Sequence, residues 1–470
     1  VYSYVTGNFS YFYPSVSGSW IITETFKDQL PKWISFAKVR GSWAQVGNDT
    51  SPYYINSGYA VATYQRGDKK IYGMTIPENM KSTDLKPERK NAWEVGLDWR
   101  FIDNRIGLDV TYYKENTKNQ IMTINVPWES GVKEKLINAG NIQNSGIEIA
   151  LNTTPIKNKD WQWDLNLTYT SNRNKIVELS PDVTSYINLD GAANYGNYRI
   201  ASVAKVGADY GMLMSDSWIK TDEKTGKPVV GYTGNYRTIY YKRGGTVKEV
   251  GSMLPDFLGT LNTTLRWKNL SLYVLLDARF GGYVASYNSR YATAYGFSGE
   301  TEKYRKGMTW TSQYANSKDK VFTDGFIPDV VFDQGTTITT PAGTNEDVSG
   351  MTYQEAYEKG FVEPAHLQSA AYFKNSWSRG VINDDWFKKL NYIALREVTL
   401  SYNVPTNICS YIGAKSLSVN LTGRNLAYLL NTAPNHENPE SVRGTGAAQF
   451  RMRSFMPYTA SYLFTLNATF

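Results

Sequence analysis

Apolar and polar residues alternate along the last thirteen residues of the chain, Tyr458 to Phe470. The even-numbered positions are aromatic or aliphatic, whereas most of the positions between them are Thr, Ser or Asn. A period of two indicates a β-strand whose two faces meet different surroundings. The stretch is also long enough to cross a bilayer, since a tilted transmembrane strand needs about 9–11 residues. Soluble sheets show the same alternation, so the interpretation depends on whether other segments repeat it.

The clearest repeat of this pattern is a predicted hairpin. Its first strand, Trp93 to Phe101, alternates aromatic and aliphatic residues with Glu, Gly, Asp and Arg. Its second strand, Ile106 to Tyr113, alternates in the same way over most of its length. The Asp103-Asn104 pair between the two strands is typical of a tight hairpin turn. One face of this hairpin is therefore apolar and aromatic, and the other carries formal charges.

About eleven segments have this character, and the connections between them are alternately short and long. The short connections lie near 102–105, 156–160, 268–269 and 405–415, and the long ones near 47–90, 125–140, 180–256, 287–390 and 430–457. A sandwich or propeller does not require this alternation, whereas bacterial outer-membrane barrels combine tight inner turns with extended outer loops. We therefore predict an all-β fold, an antiparallel transmembrane β-barrel.

The same alternation predicts an orientation for the barrel. If the carboxyl terminus lies on the periplasmic side, counting strands backwards places all five long connections outside the cell. Short helices are expected within these loops. The residues from Thr352 to Glu355 fit a capping box, and Gly360 is placed to end the helix that follows.

Composition agrees with a barrel and excludes several other classes. Hydrophobic residues make up 41% of the 470 residues and aromatic residues 14%, with 36 Tyr and 13 Trp. A polar lumen combined with an apolar lipid face gives this balance, although a secreted carbohydrate-binding β-protein would share it. One cysteine, Cys409, excludes an intrachain disulfide, and the two histidines, His366 and His436, argue against a multi-histidine metal site. The net charge of +7 includes no basic block, which argues against nucleic-acid binding.

No catalytic, metal or cofactor site is predicted. Two widely separated histidines cannot serve a Ser-His-Asp arrangement, and the chain has no glycine-rich phosphate loop. The adjacent Asp384 and Asp385 could be imagined as the paired carboxylates of a glycosidase. Neighbouring residues on an extended segment point in opposite directions, which disfavours that role.

Several motifs resemble those of the TonB-dependent transporters of bacterial outer membranes. Leu85 to Glu88, followed by Glu94 to Asp98, resembles their "LKPE…E.GLD" strand. Asn138 to Asn141, with Asn144 to Glu148, resembles their "NAG…N.GIE" pattern. Similarity to the SusC/RagA branch of Bacteroidota lies in Tyr11 to Trp20 ("FPSVSGSW"), Leu395 to Tyr402 ("LREVTLSY"), Leu421 to Leu426 ("LTGRNL") and the closing Leu466 to Phe470.

This resemblance implies a 22-stranded barrel around a plug domain, of which about eleven strands lie here. We expect residues 1–470 to be the carboxyl-terminal half of one barrel domain, with the plug and the earlier strands outside this chain. The implied function is TonB-dependent import of a nutrient, an oligosaccharide first and a peptide second. The implied partners are TonB and a SusD-like surface lipoprotein that acts as a lid. A secreted or surface-exposed glycan-binding protein that does not transport is the alternative.

Three groups of candidate functional residues follow. The loop aromatics Tyr195, Tyr198, Tyr236 and Trp310 are candidates for contact with substrate or lid, within loops expected to form part of the binding cavity. Because charges facing lipid cost about 2–4 kcal/mol at mid-bilayer, Arg396 and Glu397 are expected to face the lumen as a charge pair. The terminal strand, which the resemblance identifies as a barrel-assembly signal, contributes Tyr458, Tyr462, Phe464, Leu466 and Phe470.

Overall fold

The computed structural model contains eleven strands that form one continuous antiparallel sheet in chain order. They are β1 (Ser15–Ile21), β2 (Ile34–Asn48), β3 (Glu88–Phe101), β4 (Ile106–Lys118), β5 (Asn141–Lys157), β6 (Trp161–Glu178), β7 (Phe257–Trp267), β8 (Leu270–Ser286), β9 (Phe387–Asn403), β10 (Ser416–Asn431) and β11 (Ser461–Thr469). The structure describes residues 12–27, 29–49, 58–82, 85–126, 128–138, 140–180, 183, 186–189, 200–233, 238–304, 307–366, 384, 386–443, 450–452 and 457–470.

The predicted order of strands and the predicted alternation of connection lengths are both confirmed. Tight turns at 102–105, 158–160 and 268–269 lie at one end of the sheet, which we call the turn side. The connection at 404–415 also lies there, as does the terminal Phe470. The five long connections lie at the opposite end, the loop side.

One face of the sheet is a continuous apolar belt. On β4 its apolar run ends at Tyr112, and the next residue on the same face is Lys114. On β6 the run extends from Trp161 to Tyr169, nine residues that span about 26 Å along the strand, and Ser171 and Arg173 follow on the same face. One row of direct cross-strand neighbours consists of Trp163, Leu265, Leu272, Leu400, Leu421 and Phe464.

Aromatic rings mark both margins of the apolar belt. At the turn side, Trp161 stacks on Trp267 with ring centroids 5.8 Å apart. Towards the loop side, Tyr169 packs against Phe257 at 5.3 Å, and Phe257 stacks on Phe280 at 4.8 Å. Two aromatic margins around an apolar band are characteristic of strands that cross a membrane.

The loop side carries small sheets and short helices built from the long connections. Their strands are Ala60–Arg66, Lys69–Thr75, Asn79–Lys81, Ile121–Asn125, Glu134–Asn138, Tyr186–Asn188, Ile200–Lys205, Met212–Ser215, Val229–Thr233, Thr238–Tyr241, Lys248–Ser252, Met308–Thr311, Val321–Phe326, Val331–Phe332, Thr337–Thr339, Asn345–Asp347, Ala365–His366, Val442–Arg443 and Arg451–Met452. The helices of this side are Tyr287–Ala294 and Tyr353–Glu358, with 3₁₀ turns at Trp128–Ser130, Gly299–Tyr304 and Pro434–His436. On the turn side lie Ile22–Thr25, Thr406–Cys409 and the 3₁₀ turn Ser410–Ile412.

The predicted helix start at Thr352 is confirmed. Its hydroxyl accepts a hydrogen bond from the Glu355 N–H, and the Glu355 side chain caps the Thr352 N–H, which is a complete capping box. The helix ends at Glu358, and Gly360 follows with a φ of 72°. Within the described parts of the chain, no helix combines the length and the apolar character needed to cross a membrane.

Two of the longest connections pack together around a hydrophobic core of their own. Val230 and Ile239 come from the connection between β6 and β7, and Phe332, Tyr353 and other buried residues come from the connection between β8 and β9. A parallel pairing of Val229–Val230 with Val331–Phe332 joins the two connections. This shared core gives the loop side a defined surface.

Candidate functional site

The polar face of the sheet, opposite the apolar belt, carries an arginine that reaches across two neighbouring strands. Arg40 on β2 donates to both carboxylate oxygens of Asp109 on β4, at 2.9 and 2.8 Å, and to the Thr111 hydroxyl. Its path crosses β3 at Gly96, where an added Cβ would lie 2.5 Å from the Arg40 Nε. Gly96 therefore leaves the path of the guanidinium open, and a larger residue there would displace the Arg40 side chain.

A group of amides and a tyrosine lies on the same face nearer the loop side. The Asn174 amide donates to the Asn144 side-chain oxygen at 2.6 Å, and the Asn144 amide donates to Glu115 at 3.2 Å. The Tyr113 hydroxyl donates to Asn172 at 3.3 Å. Most of these groups are uncharged, so this part of the polar face presents hydrogen-bonding groups with little net charge.

Arg396 lies at the centre of a second charged cluster, which joins the wall to a loop. Its guanidinium donates to Asp277 on β8 at 2.7 and 3.1 Å and to both carboxylate oxygens of Glu440 at 2.7 and 2.6 Å. The Tyr428 hydroxyl donates to the same Glu440 carboxylate at 2.8 Å. Glu440 belongs to the loop segment 432–443, which we call the strap. Arg396 therefore binds the strap to the strands of the sheet, which we call the wall.

Glu397 has a different partner from Arg396. It accepts a hydrogen bond from Arg424 on β10 at 2.9 Å and another from the Thr399 hydroxyl at 3.0 Å. β9 bulges against β8 here, because the adjacent Leu275 and Leu276 pair with Glu397 and Leu395, which leaves Arg396 as one extra residue on β9. The two adjacent charges thereby reach partners on the same polar face, although an ideal strand would send them to opposite faces.

Trp310 lines a pocket in the loop assembly. Its ring stacks on Phe322 with centroids 4.7 Å apart, and its indole N–H donates to Glu363 at 3.3 Å. The pocket has a volume of about 160 Å³ and is lined by Tyr232, Trp310, Ser312, Tyr314, Asn316, Ser317, Phe322, Tyr353, Val362, Glu363, Pro364 and His366. We call it the Trp310 pocket.

Burial sets the protonation of the polar groups in the Trp310 pocket. It raises the pKa of Tyr314 and of Tyr353 well above the usual range, so both hydroxyls keep their protons. Burial also lowers the pKa of His366, which is therefore neutral at pH 7. The Glu363 carboxylate is held by the Trp310 indole, by the Ser312 hydroxyl at 2.8 Å and by a backbone N–H. The pocket thus combines aromatic rings and neutral hydrogen-bonding groups with one carboxylate.

Comparison with known proteins identifies the fold. The family model "TonB dependent receptor-like, beta-barrel" matches residues 2–283, which is more than half of the chain. This chain belongs to the TonB-dependent receptor β-barrel family. The resemblance expected from the sequence motifs is confirmed, and the polar face is accordingly the face that lines the lumen of an outer-membrane barrel.

Curated relatives in the TonB-dependent receptor family point to the same branch. TonB-dependent receptor P26 of Formosa agariphila is 24% identical over 427 residues, 88% of this chain and 38% of the relative. TonB-dependent receptor SusC of Bacteroides thetaiotaomicron is 27% identical over 293 residues, 58% of this chain and 28% of the relative. The chain therefore spans well under half the length of these relatives.

Among solved structures, the fold is similar to that of a chain in a structure titled "Structure of the RagAB peptide transporter". The TM-score is 0.65 at 18% identity, and the match covers 99% of this chain and 44% of that one. A structure of the RagAB peptide importer in its "open-open" state matches with a TM-score of 0.64 at 16% identity. These matches show that this chain shares its fold with the matched chain in each of those structures.

The remaining predicted residues are distributed as follows. Tyr195, Tyr198 and Tyr236 lie outside the described residues. Tyr462, Phe464 and Leu466 lie on β11 in register with apolar belt residues of β10, and Phe470 is 72% exposed just beyond the strand. Tyr458 precedes β11, which begins at Ser461 rather than at Tyr458, and its ring packs edge-on against Tyr428 at 4.9 Å.

The Arg40–Asp109 pair and the residues around Trp310 are not predicted by the sequence pattern. Arg40 and Asp109 are 69 residues apart, and only the strand register brings them together. Their single sequence signal is a charge on the polar face of each predicted strand. In the Trp310 pocket, Glu363 lies in an irregular segment and His366 in a two-residue strand, and neither stretch has a periodic pattern.

Proposed function

We propose that this chain forms the carboxyl-terminal half of a TonB-dependent importer that carries a nutrient across the outer membrane. The observation that supports the proposal is a sheet with one apolar and one polar face, with a folded loop assembly at its loop side. The apolar belt suits lipid, the polar face suits a hydrated path, and the loop side has a core and a pocket of its own. An energised plug, supplied by the rest of the protein, would gate that path.

Oligosaccharide is the cargo that we favour, with peptide second. The Trp310 pocket combines stacked rings with tyrosine, serine and glutamate groups. Sugar rings offer an apolar C–H face and a rim of hydroxyls, which matches such a lining. The solved peptide importer with the same fold keeps peptide as the second candidate.

A SusD-like surface lipoprotein is the proposed lid, with the loop side as its docking face. In this arrangement the carboxyl terminus is periplasmic and the loop side is extracellular. Labelling of single cysteines in intact cells tests the orientation, in a background where Cys409 is replaced by Ser. An impermeant maleimide should label a cysteine at Asp222, on the loop side, and spare one at Lys159, in a turn. Labelling of Lys159→Cys but not Asp222→Cys would reverse the orientation.

Growth on defined carbon sources tests the function. A strain lacking the gene should lose growth on one oligosaccharide and keep growth on its monosaccharide. Complementation with the full-length protein should restore growth, and Trp310→Ala should restore it less well than Trp310→Phe, because Phe keeps an aromatic face. Recovery of the native protein in the soluble fraction without detergent would instead support a secreted binding protein.

A further inference from the structure

A second recess lies on the loop side, between the helix Tyr287–Ala294 and the strap. It has a volume of about 750 Å³ and is lined by Asn288, Ala292, Phe297, Ser298, Gly299, Asn435, His436, Glu437, Asn438, Pro457 and Tyr458. We call it the Phe297 groove. Its volume falls within the range of small-molecule sites, about 300–1,000 Å³.

The helix end turns an aromatic ring into this groove. Gly296 has a φ of 76°, and the Phe297 N–H donates to the Ala292 carbonyl at 2.7 Å, as in a Schellman motif. In that motif the hydrophobic residue after the glycine usually packs back onto the helix. Phe297 is instead 85% exposed. The ring that would normally cover the helix end is left available in the groove.

The strap contributes two residues held in a rarely adopted backbone conformation. Asn435 and His436 both have a φ of 53°, a left-handed conformation that is uncommon outside glycine. The Asn435 amide holds this turn in place, since it accepts from the Ser298 hydroxyl and donates to the Ser289 hydroxyl, each at 2.8 Å. Strained turns fixed in this way are concentrated at ligand sites.

The fixed turn also sets the tautomer of His436. Its Nδ1 lies 3.1 Å from the Asn431 carbonyl oxygen, which can only accept, so Nδ1 carries the proton. In the neutral ring Nε2 is then a hydrogen-bond acceptor. The groove thereby combines an acceptor with the amides of Asn288 and Asn438.

Charge in the groove favours a neutral ligand. Of the described residues that line it, none is Lys or Arg, and only Glu437 carries a formal negative charge. That carboxylate is buried and accepts from the Ser286 hydroxyl at 2.8 and 2.9 Å. A charged ligand would therefore lose its hydration without gaining an opposite charge.

We infer that the Phe297 groove binds a neutral oligosaccharide, with the apolar face of one sugar ring against Phe297 and its hydroxyls at His436 and the groove amides. Tyr458 closes the far side of the groove through its contact with Tyr428. The inference deepens the proposed import function by naming a site and a cargo chemistry, and binding itself requires no transport.

Binding of the full-length protein, purified in detergent, to an array of neutral oligosaccharides and short neutral peptides tests this inference. Wild type should bind at least one oligosaccharide, Phe297→Ala should weaken that binding at least tenfold, and His436→Ala should weaken it severalfold. Tyr411→Ala is the matched control, because Tyr411 is 89% exposed in the 3₁₀ turn Ser410–Ile412 on the turn side. It should change affinity by less than twofold.

Three results would overturn the groove assignment. They are no binding to any neutral oligosaccharide, equal affinity of Phe297→Ala and wild type, or binding of peptides alone. Each can be separated from failure of the proposed function, because TonB-dependent uptake by whole cells is measured independently. Normal uptake by a Phe297→Ala strain with unchanged binding would refute the groove and leave the importer standing.

Discussion

At the scale of single residues, the contacts on the lumen face depend on glycines, which leave space, as well as on the side chains that form the contacts. Gly96 leaves space for the Arg40 side chain, which reaches Asp109 two strands away. A bidentate contact of this kind is stronger than an ordinary hydrogen bond and fixes the arginine in one orientation. The space above Gly96 on β3 therefore lets Arg40 link β2 to β4 on the lumen face.

Gly96→Ala should disrupt the Arg40–Asp109 pair, because the new Cβ would lie 2.5 Å from the Arg40 Nε. We expect a loss of roughly 1–3 kcal/mol of stability, the usual cost of losing a charged hydrogen bond. The measurement is the temperature at which the folded barrel unfolds, read from its heat-dependent mobility on gels. Gly41→Ala is the control, since its Cβ would meet only the Glu94 carbonyl oxygen at 3.8 Å. Equal shifts for both variants would contradict the account.

The titration of Glu437 gives a second prediction at this scale. Burial raises its pKa to about 7 from an ordinary 4.5, against hydrogen bonds from Ser286 and Ser289 that lower it. When the strap is closed, Glu437 therefore holds a proton that it releases when the strap opens. Closure of the strap is strongest below pH 4.5 and weakens as pH rises to about 7. Hydrogen exchange of the strap, corrected for intrinsic rates, should show this loss in wild type and no such loss in Glu437→Gln. The same profile in both proteins would exclude Glu437 as its source.

At the scale of secondary-structure elements, the strap is held to the wall at several points. Arg396 binds Glu440, Glu437 accepts from Ser286, and the Asn431 amide donates to the Glu437 carbonyl at 2.9 Å. These contacts join the loop before β11 to β8, β9 and β10. The strap therefore depends more on side-chain contacts than on strand pairing.

Arg396→Met should loosen the strap, because it leaves Asp277 and Glu440 without their cation. We expect a cost of about 2 kcal/mol, as for hydrogen bonds to charged groups, measured as faster hydrogen exchange at 432–443. Arg424→Met is the matched control. Its side chain is 54% exposed and binds only within the wall, so its effect on the strap should be small. Unchanged exchange in Arg396→Met would show that the other contacts suffice.

The apolar belt makes a prediction that depends only on which face a residue occupies. Leu165 lies midway between Trp161 and Tyr169 on the belt, whereas its neighbour Asn166 faces the lumen and donates to Asn262 at 2.7 Å. Leu165→Arg should impair assembly, because arginine facing lipid costs about 2–4 kcal/mol at mid-bilayer. Asn166→Arg should assemble at near wild-type levels, measured as folded protein in the outer-membrane fraction. Equal assembly of both variants would reject the face assignment.

At the scale of the whole molecule, the features predicted from sequence are those set by local alternation. The strand order, the hairpin at 102–105 and the alternating connections follow from side-chain period and turn residues. The bulge at Arg396 does not, because it depends on how β8 and β9 pair in three dimensions. The Trp310 pocket and the Phe297 groove likewise depend on contacts between distant connections with no periodic pattern.

Energy-dependent uptake is the measurement that tests the importer most directly. Initial rates of uptake of a radiolabelled oligosaccharide that supports growth would be compared between wild type, the gene deletion and the deletion complemented with the full-length protein. Each strain would be assayed with and without a protonophore. We predict concentrative uptake that requires both the gene and an energised inner membrane. Uptake that persists without the gene, or that only equilibrates and ignores the protonophore, would contradict the account.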